Sequence, residues 1–234
     1  GVRLINGLGQ HLKFGGEVMK NVAGYDLSRL SVGAYGTLGI LTEISVKVLP
    51  MPELEQTQRL ECSQAEALEM LVRIGRRPYP ISAAAWIQGA LSVRLSGAAS
   101  GVASAASAIG GESLPDSETF WAGLRDLSST EFHEEGRWLW RLSVAPTTPV
   151  NAIDAFCFDW AGGQRWVMTD PDDDSPFDIA SKCGGHAICF AQNRSAGTGM
   201  QPLVPGILAL NQRIKDAMDP HGLINRGRLL GGTH

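Results

Sequence analysis

The chain has 234 residues, enough for one large domain or two small ones with cores of their own. Hydrophobic residues make up 44% and charged residues 19% of the sequence, proportions typical of a soluble globular protein. A net charge of -4 argues against a nucleic-acid-binding protein, because phosphate backbones require a basic surface. No apolar run approaches the roughly 20 residues of a membrane-spanning helix.

The start of the chain has neither the basic region nor the apolar core of a signal peptide. Gly1 is not an initiator methionine and lies at the edge of a predicted strand, so we expect a further segment before it. The cysteines form no CxxC pair; they are Cys62, Cys157, Cys183 and Cys189. This spacing favours free thiols in a reducing cytosol over a disulfide framework.

The first predicted elements are a hairpin and a short helix. Extended runs at 2–6 and 10–14 flank Asn6-Gly7, and this pair predicts a hairpin because both residues tolerate positive φ. Asp26 is a suitable N-cap for a helix over 27–32, which Gly33 would close.

A long strand is predicted next, over 40–49. Its residues alternate between two faces and include several β-branched side chains, a pattern of period two. Pro50 and Pro52 end this run and mark a domain boundary. We therefore expect one domain at 1–52, a second at 53–200, and a return to the first at 201–234.

The second domain predicts an α+β layer, an antiparallel sheet with helices. Ser63 and Glu66 form a capping box that opens a helix over 65–76. The other predicted strands are 56–61, 83–88, 91–96, 138–144, 156–160, 164–168 and 186–191, and the other helices are 101–109, 118–127 and 177–182. A last helix at 206–218, ended by Asp219-Pro220, leads into a loop-like tail.

The densest motif lies near the N-terminus. Lys20-Asn21-Val22-Ala23-Gly24-Tyr25-Asp26 is followed by Gly36-Thr37-Leu38-Gly39-Ile40. Gly36 and Gly39 would let the backbone pass close to a bulky anion, and successive N–H groups there could hold a diphosphate. Taken alone, a GxxG pattern is more often a simple turn before a strand.

In this order, the motifs resemble the second half of the flavin-binding module of vanillyl-alcohol-oxidase-type flavoproteins. The resemblance is closest to glycolate oxidase FAD-binding subunits, which carry K-N-x-x-G-Y-D, a short helix, G-T-L-G-[IV] and a long alternating strand. Other matching segments follow in the same order: Gly16–Lys20, Phe120-Trp121, Gly184-Gly185-His186-Ala187 and the tail 219–228. The resemblance covers essentially the whole chain and is strongest at 15–50 and 219–228.

The resemblance implies the C-terminal part of a PCMH-type FAD-binding domain followed by an α+β cap domain. It implies FAD as the cofactor, held at Gly24, Asp26, Gly36, Thr37, Gly39, Ile40 and Thr42, with Asn225 approaching the isoalloxazine. It also implies a catalytic flavoprotein subunit and an iron–sulfur subunit as partners, and a small 2-hydroxy acid as the substrate. The implied location is the cytoplasm, either free or peripheral to the inner membrane through partner subunits.

Two departures from the family pattern stand out. Arg226 occupies the place of a tail proline, and Ala34-Tyr35 replaces the Ser-Glu of the sister catalytic subunits. The family's first flavin subdomain, with its glycine-rich pyrophosphate loop, is not in this sequence. We therefore expect weak or no FAD retention by the chain alone, because many charge-assisted hydrogen bonds to the diphosphate would be missing.

No catalytic base is assigned. Oxidation of a 2-hydroxy acid needs a base for the hydroxyl proton, yet the five histidines show no HxxxxxH or HxxE pairing. His186 is the most interesting of them, although a strand-start histidine bonded to backbone is the commoner role. Two alternatives stay open: a non-catalytic assembly or electron-relay flavin subunit, and a related FAD-dependent oxidoreductase for another hydroxy acid such as D-lactate.

No metal site is predicted. Cys183, His186 and Cys189 lack a fourth ligand, and strand alternation places the last two on opposite faces. The acidic run 170–174 lacks the glycine and the closing glutamate of a calcium loop. The six tryptophans lie without a basic patch, which favours core and interface packing.

Overall fold

A computed structural model describes residues 1–16, 26–190 and 199–229. The strands are β1 (Val2–Ile5), β2 (His11–Phe14), β3 (Ile40–Ile44), β4 (Leu54–Glu61), β5 (Ile81–Ile87), β6 (Ala90–Gly97), β7 (Glu112–Ser113), β8 (Trp138–Ser143), β9 (Cys157–Asp159), β10 (Gln164–Thr169) and β11 (His186–Cys189). The helices are α1 (Leu27–Leu30), α2 (Gln64–Gly75), α3 (Ala99–Ile109), α4 (Ser117–Asp126), α5 (Ser175–Lys182) and α6 (Pro205–Met218).

The chain divides into two compact units. The first comprises Gly1–Leu49 and Ala196–His234, and the second comprises Pro50–Ser195. The domain limits expected from the sequence, after 52 and after 200, lie a few residues from these divisions.

The first unit contains a three-stranded antiparallel sheet in the order β2-β1-β3. Leu4 is paired with Leu12 on one side and Leu41 on the other, and its side chain is buried. The predicted hairpin is confirmed, but its turn is built differently. Asn6 Oδ1 accepts hydrogen bonds from the backbone of Leu8 and Gln10, and the positive φ falls at Gly9 instead of Asn6-Gly7.

The predicted strand 40–49 is wrong in its length. β3 ends at Ile44, and beyond it Ser45 N donates to the Gly1 oxygen while the Gly1 amino group donates to the Ser45 oxygen. All five β3 residues are exposed, and Val46 and Val48 beyond them are 74% and 77% exposed. Alternation records which faces a strand could bury, but a strand extends only as far as a partner supplies hydrogen bonds.

Of the helices described in the first unit, α1 begins where predicted and α6 begins one residue earlier. Asp26 caps α1 by accepting a hydrogen bond from the backbone N–H of Arg29. This helix ends at Leu30, two residues before the predicted end, and turns lead on to Gly33 at φ 77°. α6 starts at Pro205, where the missing proline N–H costs no helical bond.

The second unit is an eight-stranded antiparallel sheet in the order β11-β8-β10-β9-β5-β6-β4-β7. α2 and α3 bury apolar residues at helical spacing in its main core, and the predicted capping box of Ser63 and Glu66 is present. The α+β prediction for this region is confirmed. The short edge strand β7 was not predicted, because two residues carry no periodicity.

Strand β8 shows how the two faces of this sheet differ. Trp138, Trp140 and Leu142 lie on one face in a core with Ala180 of α5. Arg141 and Ser143 lie on the opposite, half-exposed face. His186 and Cys189 of β11 also point to opposite faces, as predicted: the histidine is exposed and the thiol is buried.

Two expectations in this unit need correction. The predicted strand 156–160 is reduced to β9, because the chain turns at Trp160 and Ala161, both at positive φ. Trp160 is therefore 74% exposed and does not pack in the core predicted for the tryptophans. Among the described residues, no helix is long and apolar enough to cross a bilayer, and no cluster of three metal-ligating side chains occurs.

Candidate functional site

The bend that precedes β3 has an unusual backbone. Tyr35 and Gly36 both have positive φ, at 51° and 69°. The Thr37 backbone N–H and its hydroxyl both donate to the Ala34 oxygen, at 2.9 and 2.7 Å, and Thr37 is buried. Among the described residues, the N–H groups of Gly36 and Leu38 donate no hydrogen bond. The bend therefore offers two backbone donors on a left-handed turn, an arrangement that can bind an anion.

The two glycines of the bend are required by protein packing. A Cβ at Gly36 would lie 2.8 Å from the side-chain amide nitrogen of Asn225, and the positive φ adds strain. A Cβ at Gly39 would lie 2.9 Å from the Ile5 oxygen and 2.8 Å from Leu4 Cδ1. Close approach to a ligand was the expected reason for both glycines, whereas these contacts involve the chain itself.

Asn225 joins the C-terminal tail to the bend. Its side-chain Nδ2 donates a 2.8 Å hydrogen bond to the Tyr35 oxygen, and its own backbone has a positive φ of 43°. The sequence predicted that Asn225 approaches a flavin ring; here its amide supports the bend from the tail.

Lys215 of α6 is a second connection, which the sequence analysis missed. Its ammonium donates to the Thr37 oxygen at 2.7 Å, to Asp219 Oδ2 at 2.5 Å and to the Ile224 oxygen at 2.9 Å. These three acceptors match the three protons of the ammonium group. A helical lysine four residues before an aspartate is a common surface pair, so its spacing alone gave no sign of this role.

Asp219 completes the connection. Its carboxylate is buried and also accepts hydrogen bonds from the backbone N–H groups of Leu223 and Ile224, at 2.9 and 2.8 Å. Burial opposes ionisation, but the hydrogen bonds from Lys215 and from these two N–H groups hold the pKa of Asp219 below its usual range. Gly7 packs so closely that a Cβ there would overlap the carboxylate.

A groove of about 450 Å³ lies beside these residues. Its lining combines the bend at Thr37, the last turns of α6 and the tail. Its charged lining is balanced: Lys215 and Arg226 face Asp216 and Asp219, and Lys215 is already paired with Asp219. Arg226 forms no ion pair among the described residues, so the groove can accept an elongated ligand whose negative charge lies at the tail.

The predicted site residues are only partly brought together. Gly36, Thr37 and Asn225 meet at the bend, and Gly39 lies behind it against β1. Ile40 and Thr42 lie on the exposed strand β3, where the Thr42 hydroxyl donates to the Arg3 oxygen at 3.2 Å. Asp26 serves as a helix cap, and Gly24 lies outside the described residues.

The comparison with solved structures shows the fold. A chain of alkyldihydroxyacetonephosphate synthase matches with a TM-score of 0.55 and 15% sequence identity, covering 94% of this chain and 51% of that one. The expected fold class is confirmed: the chain has an α+β, PCMH-type fold. No family model matches the sequence.

The comparison with curated proteins finds two glycolate oxidase subunits. Glycolate oxidase subunit GlcE of Escherichia coli strain K12 is 42% identical over 231 residues, which is 98% of this chain and 64% of that protein. Glycolate oxidase subunit GlcD of Bacillus subtilis strain 168 is 49% identical over 57 residues, or 24% of this chain and 12% of that protein.

The predicted resemblance is thereby confirmed, and the chain is similar to a glycolate oxidase subunit over nearly all of its length. The relatives are oxidoreductase subunits. The chain spans less than two thirds of the length of these curated relatives.

Proposed function

We propose that this chain is the greater part of an FAD-binding subunit of a glycolate (2-hydroxy acid) oxidoreductase complex. The observation that carries the proposal is the bend at 35–38, where the Gly36 and Leu38 N–H groups are unused and Thr37 lines a groove that also contains Arg226. The likeness to a glycolate oxidase subunit supports the same substrate class. FAD bound in such a protein can accept a hydride from carbon.

The residues of the bend fit part of a dinucleotide diphosphate. The Gly36 and Leu38 N–H groups would donate to phosphate oxygens at the left-handed turn that Gly36 forms. Lys215 and Asn225 would act indirectly, because their polar hydrogens are already bonded to the Thr37 and Tyr35 oxygens. They would hold the bend in the conformation that binds the diphosphate. This would reduce the conformational entropy lost when the ligand binds.

The proposed partners are a catalytic flavoprotein subunit and an iron–sulfur subunit that takes the electrons onward. The likeness to two named subunits of glycolate oxidase supports an assembly of several chains. The proposed location is cytoplasmic, with any membrane association provided by those partners.

Flavin titration of the full 234-residue chain tests the cofactor proposal. FAD is expected to bind saturably on addition, observed as quenching of its fluorescence, but to be lost during purification. Gly36→Ala should weaken this binding at least tenfold, because the new Cβ displaces Asn225 and strains the bend.

Gly9→Ala is the matched control. It places alanine at an equally positive φ of 73° in the same unit, in open space at the hairpin turn. Equal FAD binding by the two variants, or no saturable binding by the unaltered chain, would contradict the proposal.

A further inference from the structure

A row of polar side chains crosses four adjacent strands of the second unit. The strand registers pair His186 with Ser143, Ser143 with Gln164, and Gln164 with Asp159. Directly paired residues project to the same face of an antiparallel sheet, with Cα atoms about 4.5 to 5.5 Å apart. All four residues are at least partly exposed. We call these four residues the polar row.

Arg141 lies in the next row on the same face. Its strand partners are Ile188 and Trp166, so it is a diagonal neighbour of Gln164 and lies two residues from Ser143. Diagonal neighbours are about 7 to 8 Å apart, a distance that arginine and glutamine side chains can bridge. The polar row and the guanidinium therefore border one patch of the sheet.

Aromatic rings fix the position of this arginine. Its guanidinium carbon lies 5.9 Å from the Trp166 ring centre and 5.4 Å from that of Phe190. Arg141 forms no ion pair within the described residues, and its buried Nε has no hydrogen-bond partner there. Asp159 Oδ1 and Trp166 Nε1 are likewise buried without a hydrogen bond of good geometry, although the indole lies close enough to stabilise the carboxylate. Three buried polar atoms on one sheet face that lack a well-formed hydrogen bond indicate a site that a ligand completes.

The chemistry of these groups selects the class of ligand. A guanidinium group with unused donors matches the two oxygens of a carboxylate. The Asp159 carboxylate can accept a hydrogen bond from a hydroxyl group. The neighbouring Gln164 amide can either accept one from it or donate one to it. Trp166 and Phe190, whose ring centres lie 5.6 Å apart, provide an apolar edge to the patch.

We infer that the polar row and Arg141 bind a small hydroxycarboxylate, with its carboxylate on Arg141 and its hydroxyl on the Gln164 and Asp159 side. This inference rests on the proposed function for the substrate class, and it names the residues that recognise it. Arg141 selects the acid, and Gln164 with Asp159 selects the hydroxyl.

Ligand titration of the full chain by NMR tests this inference. Glycolate is the probe, with acetate as the analogue that lacks the hydroxyl and ethylene glycol as the one that lacks the carboxylate. Glycolate should shift the Arg141 Nε–H and Trp166 Nε1–H resonances and bind at least severalfold more tightly than acetate. Ethylene glycol should bind weakest. Equal binding of glycolate and acetate would overturn the hydroxyl assignment.

Substitutions of Arg141, compared with a control substitution of Arg94, test the role of the guanidinium group. Arg141→Gln should weaken glycolate binding at least tenfold, and Arg141→Lys should restore part of it. Arg94→Gln is the control, since Arg94 lies on the same face, 5.5 Å from the Trp121 ring centre, but is bonded to Ser82. Equal loss in Arg141→Gln and Arg94→Gln, with near-ultraviolet circular dichroism unchanged in both, would overturn the inference.

The outcomes separate this inference from the proposed function. Glycolate binding that depends on Arg141, in a chain that binds no FAD, would support the polar-row site and contradict the flavin proposal. FAD binding that depends on Gly36, with glycolate binding unaffected by Arg141→Gln, would do the reverse.

Discussion

The side-chain amide of Asn225 donates a 2.8 Å hydrogen bond to the backbone oxygen of Tyr35, joining positions 190 residues apart in the chain. This bond places the amide nitrogen only 2.8 Å from where a Cβ of residue 36 would lie, so any larger residue there would displace Asn225. The bend and the tail therefore form one structural element. Its loss should be visible in both stability and ligand binding.

Asn225→Ala should reduce the affinity for added FAD by about tenfold. One net hydrogen bond of about 1 kcal/mol is lost, and the bend gains freedom that binding must remove. Fluorescence titration measures the change. Asn151→Ala, at an exposed position of the second unit, is the control and should bind FAD as the unaltered chain does.

Lys215→Met should destabilise the first unit by about 3 kcal/mol. The substitution leaves the buried carboxylate of Asp219 without its cationic partner, which is the costly way to break such a pair. Hydrogen exchange of the Leu223 and Ile224 amides, both bonded to Asp219, should become faster.

The tryptophans supply an internal control for this variant, because all six lie in the second unit. Their unfolding transition should not move in Lys215→Met. Lys47→Met, at an exposed position, should change neither measurement. A shift of the tryptophan transition with no faster exchange near Asp219 would refute this role for Lys215.

Ile44→Lys should reduce self-association of the chain. β3 is an edge strand of the first unit's sheet, and Ile40 and Ile44 are 60% and 59% exposed on it. Apolar edge strands favour pairing between chains, and a lysine on the edge opposes it. Light scattering at rising protein concentration measures the effect. Val72→Lys, at a 45% exposed position on α2, is the control and should leave association unchanged.

Much of the second unit could be predicted from the sequence because its signals are local. The capping box of Ser63 and Glu66 and the alternation of β8 each lie within a few residues. The order of the eight strands could not be predicted from the sequence. The polar row could not be predicted either, because it depends on that order. Ser143, Gln164 and Asp159 become neighbours only through pairings between separate strands.

The glycines predicted the bend, but the structural reason for glycine at these positions differs from the one expected. Their spacing indicated close approach of backbone to some other group, and the structure shows Asn225 and β1 in that position. The role of Lys215 could not be predicted, because its acceptors at Thr37 and Ile224 are backbone oxygens and no side-chain pattern indicates such bonds. β3 was predicted too long because alternation cannot reveal where hydrogen-bonding partners end.

Asp159→Asn should make the second unit more stable at pH 8. Burial raises the pKa of Asp159 to about 6, although Trp166 and Arg141 partly oppose the shift. Because the folded pKa exceeds the unfolded value, Asp159 favours folding at low pH, and this contribution is lost as the pH rises through 6. Removing the charge should therefore raise the free energy of unfolding at pH 8, by at most about 3 kcal/mol.

Urea unfolding followed by tryptophan fluorescence at pH 4.5 and pH 8 measures this change. The gain should shrink at pH 4.5, where the carboxyl group is mostly protonated in the folded chain. The quantity to compare is the difference between the variant and the unaltered chain at each pH. Asp154→Asn, at an exposed position, is the control, and an equal gain in both variants would rule out the burial of Asp159 as the cause.

The most direct measurement of the flavin assignment follows the backbone amide resonances of Gly36 and Leu38 while FAD is added to the full chain. Both N–H groups are expected to shift strongly and saturably as they begin to donate to the diphosphate, while the Gly9 amide at the hairpin turn stays unchanged. Saturable FAD binding that leaves Gly36 and Leu38 unshifted would contradict the account, because the cofactor would then lie elsewhere.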